Sequence, residues 1–249
     1  MTVQRPRAQE LRTLAIALLA SLVLWNLPYG GFLLYPFKLL ATWLHELSHG
    51  LVMLATGAGF RNVIIYRDTS GQSLQVWRIS DVGTAAIAAA GYMGTPLWGA
   101  LLFAVTPTPR AARIALGALA VLMAISALTV IVPAPDGDRF DLYVVAALAI
   151  ALAVAALALP PRWRVLCVHF IAAQACVNAL LDIRVLLRPY QTVGGVPGHS
   201  DAEVMAMATF GTVDSWAIWT WALVWLAWSL GVLFLALRLS ARRSSRSAA

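Results

Sequence analysis

Residues 37–56 read FKLLATWLHELSHGLVMLAT, an apolar run with His45, Glu46 and His49 at its centre. The run is about as long as a helix that crosses a bilayer, which needs roughly 20 predominantly apolar residues. Ionisable side chains inside such a run are costly to bury and therefore mark candidate functional positions. This stretch predicts a membrane helix with a polar site near its middle.

The composition of the whole chain is typical of a membrane protein. Of its 249 residues, 61% are hydrophobic and 12% are charged, and the mean hydropathy is +0.78. These values lie outside the usual range of soluble domains. The net charge of +7 could suggest nucleic acid, but the Arg residues are scattered through short loops and form no basic stripe. We therefore expect a lipid bilayer as a partner and no nucleic acid.

Hydropathy predicts an all-α polytopic membrane protein with about seven transmembrane helices in a single membrane-embedded domain, residues 1–240. The expected spans are 12–34, 36–57, 84–106, 111–132, 140–159, 163–187 and 214–238.

Residues 58–81 contain two short strand-like stretches around Asp68-Thr69-Ser70-Gly71, which predicts a β-hairpin insertion after the second span. A short helix is expected to begin near Ser200, and residues 241–249 are expected to form a basic, disordered tail.

The two histidines of the first stretch have the spacing of a metal site. Residues four apart on a helix lie on one face about 6 Å apart, so His45 and His49 can bind a single Zn²⁺ ion. Glu46 then projects beside the open metal position, where it can accept a proton from water and later deliver it to a leaving amine. The H-E-x-x-H pattern predicts a catalytic site with one zinc ion per chain. The alternative is a hydrogen-bonded polar trio that only stabilises helix packing.

A catalytic zinc site needs a third protein ligand, for which Asp182 is the best candidate. Its span runs across the membrane in the same direction as the span of His49, and the depths of the two residues differ by only about 5 Å. Asn178, one turn earlier, could orient this ligand or hold a substrate backbone. Alternatively, Asp182 pairs with Arg184 or Arg188 near the end of its helix.

Four other residues are candidates for supporting roles. His199 and Asp201 lie in a loop and could be rival metal ligands or a gate, or could serve only in helix capping. Gly91 and Gly94 are small residues three apart in one span. Such a pair either allows close helix packing or lies directly beside the substrate.

Together these features resemble the site-2 protease family of intramembrane zinc peptidases, most closely its small M50B-like branch. The resemblance covers roughly residues 36–240. The motifs that carry it are His45-Glu46-Leu47-Ser48-His49-Gly50, Thr56-Gly57-Ala58-Gly59 with the hairpin, Gly91-Tyr92-Met93-Gly94, the Asn178/Asp182 pair, and Ser200-Asp201-Ala202 before a Trp-rich last span, Trp216 to Trp228.

The resemblance implies that His45, His49 and Asp182 are zinc ligands and that Glu46 is the general base. In better-known members the third ligand sits in a Pro-rich Asn-Pro…Leu-Asp-Gly loop. Here Asp182 is followed by Ile183 without those prolines, which leaves the manner of substrate clamping open.

We therefore expect a multi-pass zinc metalloendopeptidase of the cell membrane, a hydrolase that performs intramembrane proteolysis. Its substrate would be another membrane protein, cut in or near a transmembrane segment. The hairpin could pair with an extended substrate by strand addition, or could merely cover the site. One alternative is a catalytically inactive binding partner or chaperone of the same fold, although an intact Glu46 argues against it. Another is a metal transporter, which would be expected to carry a chain of ionisable groups across the membrane.

Overall fold

The computed structural model describes residues 19–20, 23–24, 26–106, 108–187 and 192–246. These residues form seven helices, namely α1 Gly30–Ala55, α2 Asp81–Val105, α3 Pro109–Thr129, α4 Phe140–Ala158, α5 Pro161–Leu186, α6 Asp201–Phe210 and α7 Ser215–Arg246. Two antiparallel two-stranded sheets accompany them, β1 Phe60–Ile65 with β2 Gly71–Gln75, and β3 Thr192–Val193 with β4 Val196–Pro197.

Within the described part of the chain, five helices are long and apolar enough to cross a membrane, namely α2, α3, α4, α5 and residues Ser215–Ala236 of α7. Their bounds lie within a few residues of the last five expected spans, so the protein is a multi-pass membrane protein. Helix α1 is long enough to cross a membrane, at 26 residues, but it is not one of these five helices. It is less apolar than they are because Lys38 and the His and Glu residues lie within it. Ten of the 23 residues of the first expected span, 12–34, fall outside the described residues.

The boundary between the first two expected spans was wrong. The expected spans 12–34 and 36–57 leave the boundary at residue 35, but α1 begins at Gly30 and continues through Pro36. Residues 27–29 form the turn instead, with the N–H of Gly30 bonded to the carbonyl of Leu27. Pro28 explains this position, because proline disfavours a helical conformation in the residue before it and lacks an N–H of its own.

Helix starts follow local sequence signals. The side chains of Ser80, Thr108 and Ser200 each accept the backbone N–H three residues later, at the beginning of α2, α3 and α6. This N-cap bond satisfies a donor that has no partner inside the helix. The short helix expected near Ser200 is thereby confirmed, and Glu203 completes a capping box with Ser200. Helix α6 ends at Phe210, and its C-cap is Gly211, whose φ of 70° suits glycine.

The expectation of a basic, disordered tail over residues 241–249 stays a prediction. Helix α7 continues to Arg246, which lies within that segment. Alanine and arginine have high helix propensity, and extending an existing helix costs less than starting a new one. Residues 247–249 lie outside the described part of the chain.

The hairpin predicted for residues 58–81 is confirmed. Strands β1 and β2 pair antiparallel with Val63 opposite Ser73 and Ile65 opposite Gly71, so Gly71, expected in the turn, is the first residue of β2. On its other edge, β1 is bridged in parallel from Val63 to Ile131. The hairpin is therefore attached both to α1 and to the segment that follows α3.

Helix α2 organises the packing around the candidate site. It contacts α1, α5, α6 and α7, while α3 and α4 pack on each other and on α1 or α5 from another side. Both strands of the hairpin also contact α1. The centre of α1 is thus surrounded by the hairpin, by α2 and by the segment that contains α6.

Candidate metal centre

The structure brings His45 and His49 together with Asp201. The ring centroids of the two histidines are 4.8 Å apart, as expected for residues one helical turn apart. Atom Oδ2 of Asp201 lies 2.9 Å from Nε2 of His45 and 3.2 Å from Nε2 of His49. The three possible ligand atoms all lie within 4.8 Å of one another. We call these three residues the His/His/Asp group.

Asp201 reaches the histidines because of its place in α6. It is the first residue of that helix, directly after the N-cap Ser200, and α6 packs against α2 beside α1. Burial on its own would raise the pKa of the Asp201 carboxyl, but His49 and His45 outweigh this effect and hold the pKa well below its usual range. Asp201 is therefore an anion at the site and can act as a ligand to a cation.

Residues of α2 contact both imidazole rings. Nδ1 of His49 lies 2.6 Å from the carbonyl oxygen of Ile87, to which it donates. The ring of His45 meets the ring of Tyr92 edge to face at 4.9 Å, and Tyr92 stacks in turn on Trp225 of α7 at 4.8 Å. A carbonyl that fixes the second ring nitrogen is typical of metal-binding histidines, since it sets the tautomer and the ring orientation.

Glu46 lies beside the His/His/Asp group without belonging to it. Glu46 is only 5% exposed, and its Oε2 atom lies 2.7 Å from Oγ of Ser73 on β2. It is close enough to His45 and His49 to interact with them electrostatically. A carboxylate that is not itself a ligand but adjoins the ligands is what a general base at a metal site requires.

Gly91 and Gly94 lie at the contact between α2 and α1. A Cβ atom on Gly91 would collide with the imidazole of His45, and one on Gly94 would collide with Oγ of Ser48. Ser48 in turn accepts a hydrogen bond from Nε1 of Trp98 at 3.2 Å. The two glycines therefore allow close helix packing at the site itself, and a place beside the substrate stays a prediction.

Asp182 is not a member of the His/His/Asp group. It is partly buried near the end of α5 and interacts electrostatically with His45 and Lys38. The carboxylate that contacts both imidazoles, however, belongs to Asp201, because the chain after α5 folds back over the site. The group with both rings thus contains Asp201 and not Asp182, and the expected role of Asp182 as a zinc ligand stays a prediction.

Asn178 and His199 also lie outside the group. Asn178 is buried one turn before Asp182, and its Nδ2 atom has no hydrogen-bond partner among the described residues. The side chain of His199 is 82% exposed and lies 4.0 Å from a carboxylate oxygen of Glu203. His199 therefore does not share the contact that Asp201 makes with the two histidines of α1.

Sequence reasoning missed Ser73, Ile87 and Tyr92 as neighbours of the site. Tyr92 lies in a motif that the sequence did single out, between Gly91 and Gly94. The contacts of Ser73 and of the Ile87 carbonyl carry no sequence signal, since they depend on the hairpin's position along α1 and on the packing of α2.

The donor set fits a zinc ion. Two imidazoles and one carboxylate, with a further position left for water or substrate, are a common set of ligands at catalytic zinc sites. Nitrogen and oxygen atoms bound to one tetrahedral zinc ion lie about 3.3 Å apart, given zinc–ligand distances of roughly 2.0–2.1 Å. The separations of 2.9 and 3.2 Å in the group are close to that value.

A family model described as Peptidase M50B-like matches residues 14–236. No curated protein and no solved structure matches the chain significantly. The family match covers most of the chain and includes every residue of the His/His/Asp group as well as Glu46. The family is one of metallopeptidases, in agreement with a group of side chains that can hold a metal ion. The chain thus belongs to the Peptidase M50B-like family.

Proposed function

We propose that this protein is a zinc-dependent intramembrane endopeptidase that hydrolyses a peptide bond in or near a transmembrane segment of another membrane protein. The observation that carries the proposal is the meeting of His45, His49 and Asp201 next to Glu46. Membership of a peptidase family supports protein substrates. Five candidate membrane spans support a site that works within a bilayer, for which we propose the cell membrane.

In this proposal His45, His49 and Asp201 hold one zinc ion per chain. A bound zinc ion polarises the carbonyl of the scissile peptide bond and lowers the pKa of a water molecule beside it. We assign the third ligand to Asp201 in place of Asp182, because the Asp201 carboxylate contacts both imidazoles. The Ile87 carbonyl and the Tyr92 ring keep the two imidazoles oriented.

Glu46 is the proposed general base and, later, the general acid. Its carboxylate takes a proton from the attacking water as the water oxygen forms a bond to the carbonyl carbon. The same carboxyl group then gives the proton to the amide nitrogen as the carbon–nitrogen bond breaks. The products are a new carboxyl terminus and a new amino terminus, and Glu46 returns to its starting state.

The hairpin supports a place for an extended substrate. Among the residues that the structure describes, β2 pairs only with β1, so one edge of β2 carries backbone groups that a further strand can bind. An extended peptide that adds to this edge would lie next to Glu46, because Ser73 of β2 contacts that side chain. A transmembrane substrate must be unwound before it can be cut, and an unpaired strand edge favours the unwound form.

The test compares the wild type with Glu46→Gln in zinc-supplemented liposomes, on quenched fluorescent peptides that each carry one apolar transmembrane segment. We expect cleavage by the wild type and a loss of about 10²- to 10⁴-fold in the variant, because an amide cannot accept the proton. Equal rates would contradict the mechanism. A zinc-loaded wild type that cleaves none of the peptides would favour a binding partner, and zinc uptake into the liposomes would favour a transporter.

A further inference from the structure

We propose that Ser73 on strand β2 is a positioning residue for Glu46, so that the hairpin forms part of the catalytic machinery in addition to lying near the substrate. This inference rests on the proposed function, since it concerns the side chain that moves the proton. It assigns a role to a residue outside the metal-binding motif and 27 positions away from Glu46 in the sequence.

The contact between the two side chains is short and sheltered. Oγ of Ser73 lies 2.7 Å from Oε2 of Glu46 and 3.0 Å from the backbone oxygen of the same residue. The hydroxyl donates its proton to the carboxylate, because a hydrogen bond to a charged acceptor is the stronger of the two. Glu46 is only 5% exposed, so this bond takes the place of hydration and holds one carboxylate oxygen at a fixed position.

Gly71 shows that β2 is fitted to the Glu46 carboxylate. It lies two residues before Ser73 and therefore on the same face of the strand. A Cβ atom at this position would lie 2.5 Å from Oε1 and 2.7 Å from Cγ of Glu46. The φ of Gly71 is not positive, so the turn itself does not require glycine. Glycine is required here because the Glu46 carboxylate approaches the strand too closely for a side chain.

Two hydrogen bonds fix the position of the hairpin along α1. Oη of Tyr35 donates to the carbonyl of Arg67 at 2.7 Å, and Oγ1 of Thr42 donates to the carbonyl of Thr69 at 2.7 Å. Positions 35, 42 and 46 are separated by seven and four residues, so all three lie on one face of the helix. The hairpin turn is thus attached at two points on that face, and this attachment sets where Ser73 meets the general base.

The experiment measures kcat and KM for Ser73→Ala, Ser73→Thr and the control Gln72→Ala, using a peptide that the wild type cleaves. Gln72 is exposed and lies on the opposite face of β2. We expect Ser73→Ala to lower kcat by about 10- to 100-fold, the usual effect of removing a partner of a catalytic group, with little change in KM or zinc content. Ser73→Thr should restore most of kcat, because it keeps the hydroxyl, and Gln72→Ala should match the wild type.

A double-mutant cycle on metal-free protein gives a readout that does not depend on activity. Ser73→Ala should lower Tm by about 2–4 °C more when Glu46 is present than in a Glu46→Ala background. If the wild type cleaves peptides and Ser73→Ala keeps its kcat, or if the two losses of Tm are equal, the role of Ser73 is overturned while the proposed function stands. If the wild type cleaves nothing, the proposed function and the catalytic role of Ser73 fall together.

Discussion

Oδ2 of Asp201 lies 2.9 Å from Nε2 of His45, although 156 residues separate the two in the chain. The contact joins the first turn of α6 to the centre of α1. The same oxygen lies 3.2 Å from Nε2 of His49. The candidate metal centre is therefore completed by tertiary packing, and its integrity depends on the segment that folds back after α5.

Replacement of either histidine should remove the metal. In His45→Ala or His49→Ala only two protein ligands of the proposed set are left, and two ligands hold Zn²⁺ poorly. Zinc per chain, measured by elemental analysis of purified protein, should fall from near one to near zero.

The matched control for the histidine variants is His199→Ala, since the His199 side chain is 82% exposed and lies outside the His/His/Asp group. It should keep the wild-type zinc content. Full zinc loading in His45→Ala or His49→Ala would show that this group is not the metal site.

Gly91→Ala should disturb the site by moving a ligand. The new Cβ would press against the imidazole of His45, and overpacking of this kind costs roughly 1–3 kcal/mol. We expect at least a tenfold loss of zinc affinity, measured by competition with a chelator of known affinity. Gly117→Ala is the control, because a Cβ there meets nothing within 4 Å. An unchanged zinc affinity in Gly91→Ala would show that α2 does not hold His45 in place.

Gly71→Ala should separate catalysis from metal binding. Its Cβ would displace the Glu46 carboxylate, which is not a ligand in the proposed set, so zinc should remain near one per chain while kcat falls about 10-fold or more. The control is Gly31→Ala, where a Cβ meets nothing within 4 Å. A wild-type kcat in Gly71→Ala would mean that Glu46 is not held by β2.

Features set by local sequence could be predicted well. The His45/Glu46/His49 spacing placed three side chains on one turn of a helix, and apolar run lengths located five spans that the structure confirms. The hairpin followed from the turn at Asp68-Thr69-Ser70-Gly71, and the start of α6 followed from Ser200. Each of these depends on residues within a few positions of one another.

Features set by tertiary packing could not be predicted. Asp182 and Asp201 were both candidate ligands, and their positions along helices favoured Asp182, but the path of the chain between α5 and α6 decides which one meets the imidazoles. The contact of Ser73 with Glu46 depends on hairpin register relative to α1, which no spacing in the sequence reveals. The boundary expected between spans 12–34 and 36–57 lies instead at residues 27–29, next to Pro28.

The most direct test of the central claim is the zinc content of Asp201→Asn beside that of Asp182→Asn, each purified in the same detergent and measured by elemental analysis. A neutral amide is a much poorer ligand for Zn²⁺ than a carboxylate. We predict that Asp201→Asn loses most of its zinc and that Asp182→Asn keeps close to one ion per chain. Full zinc in Asp201→Asn together with zinc lost in Asp182→Asn would contradict the account and assign the third ligand to α5.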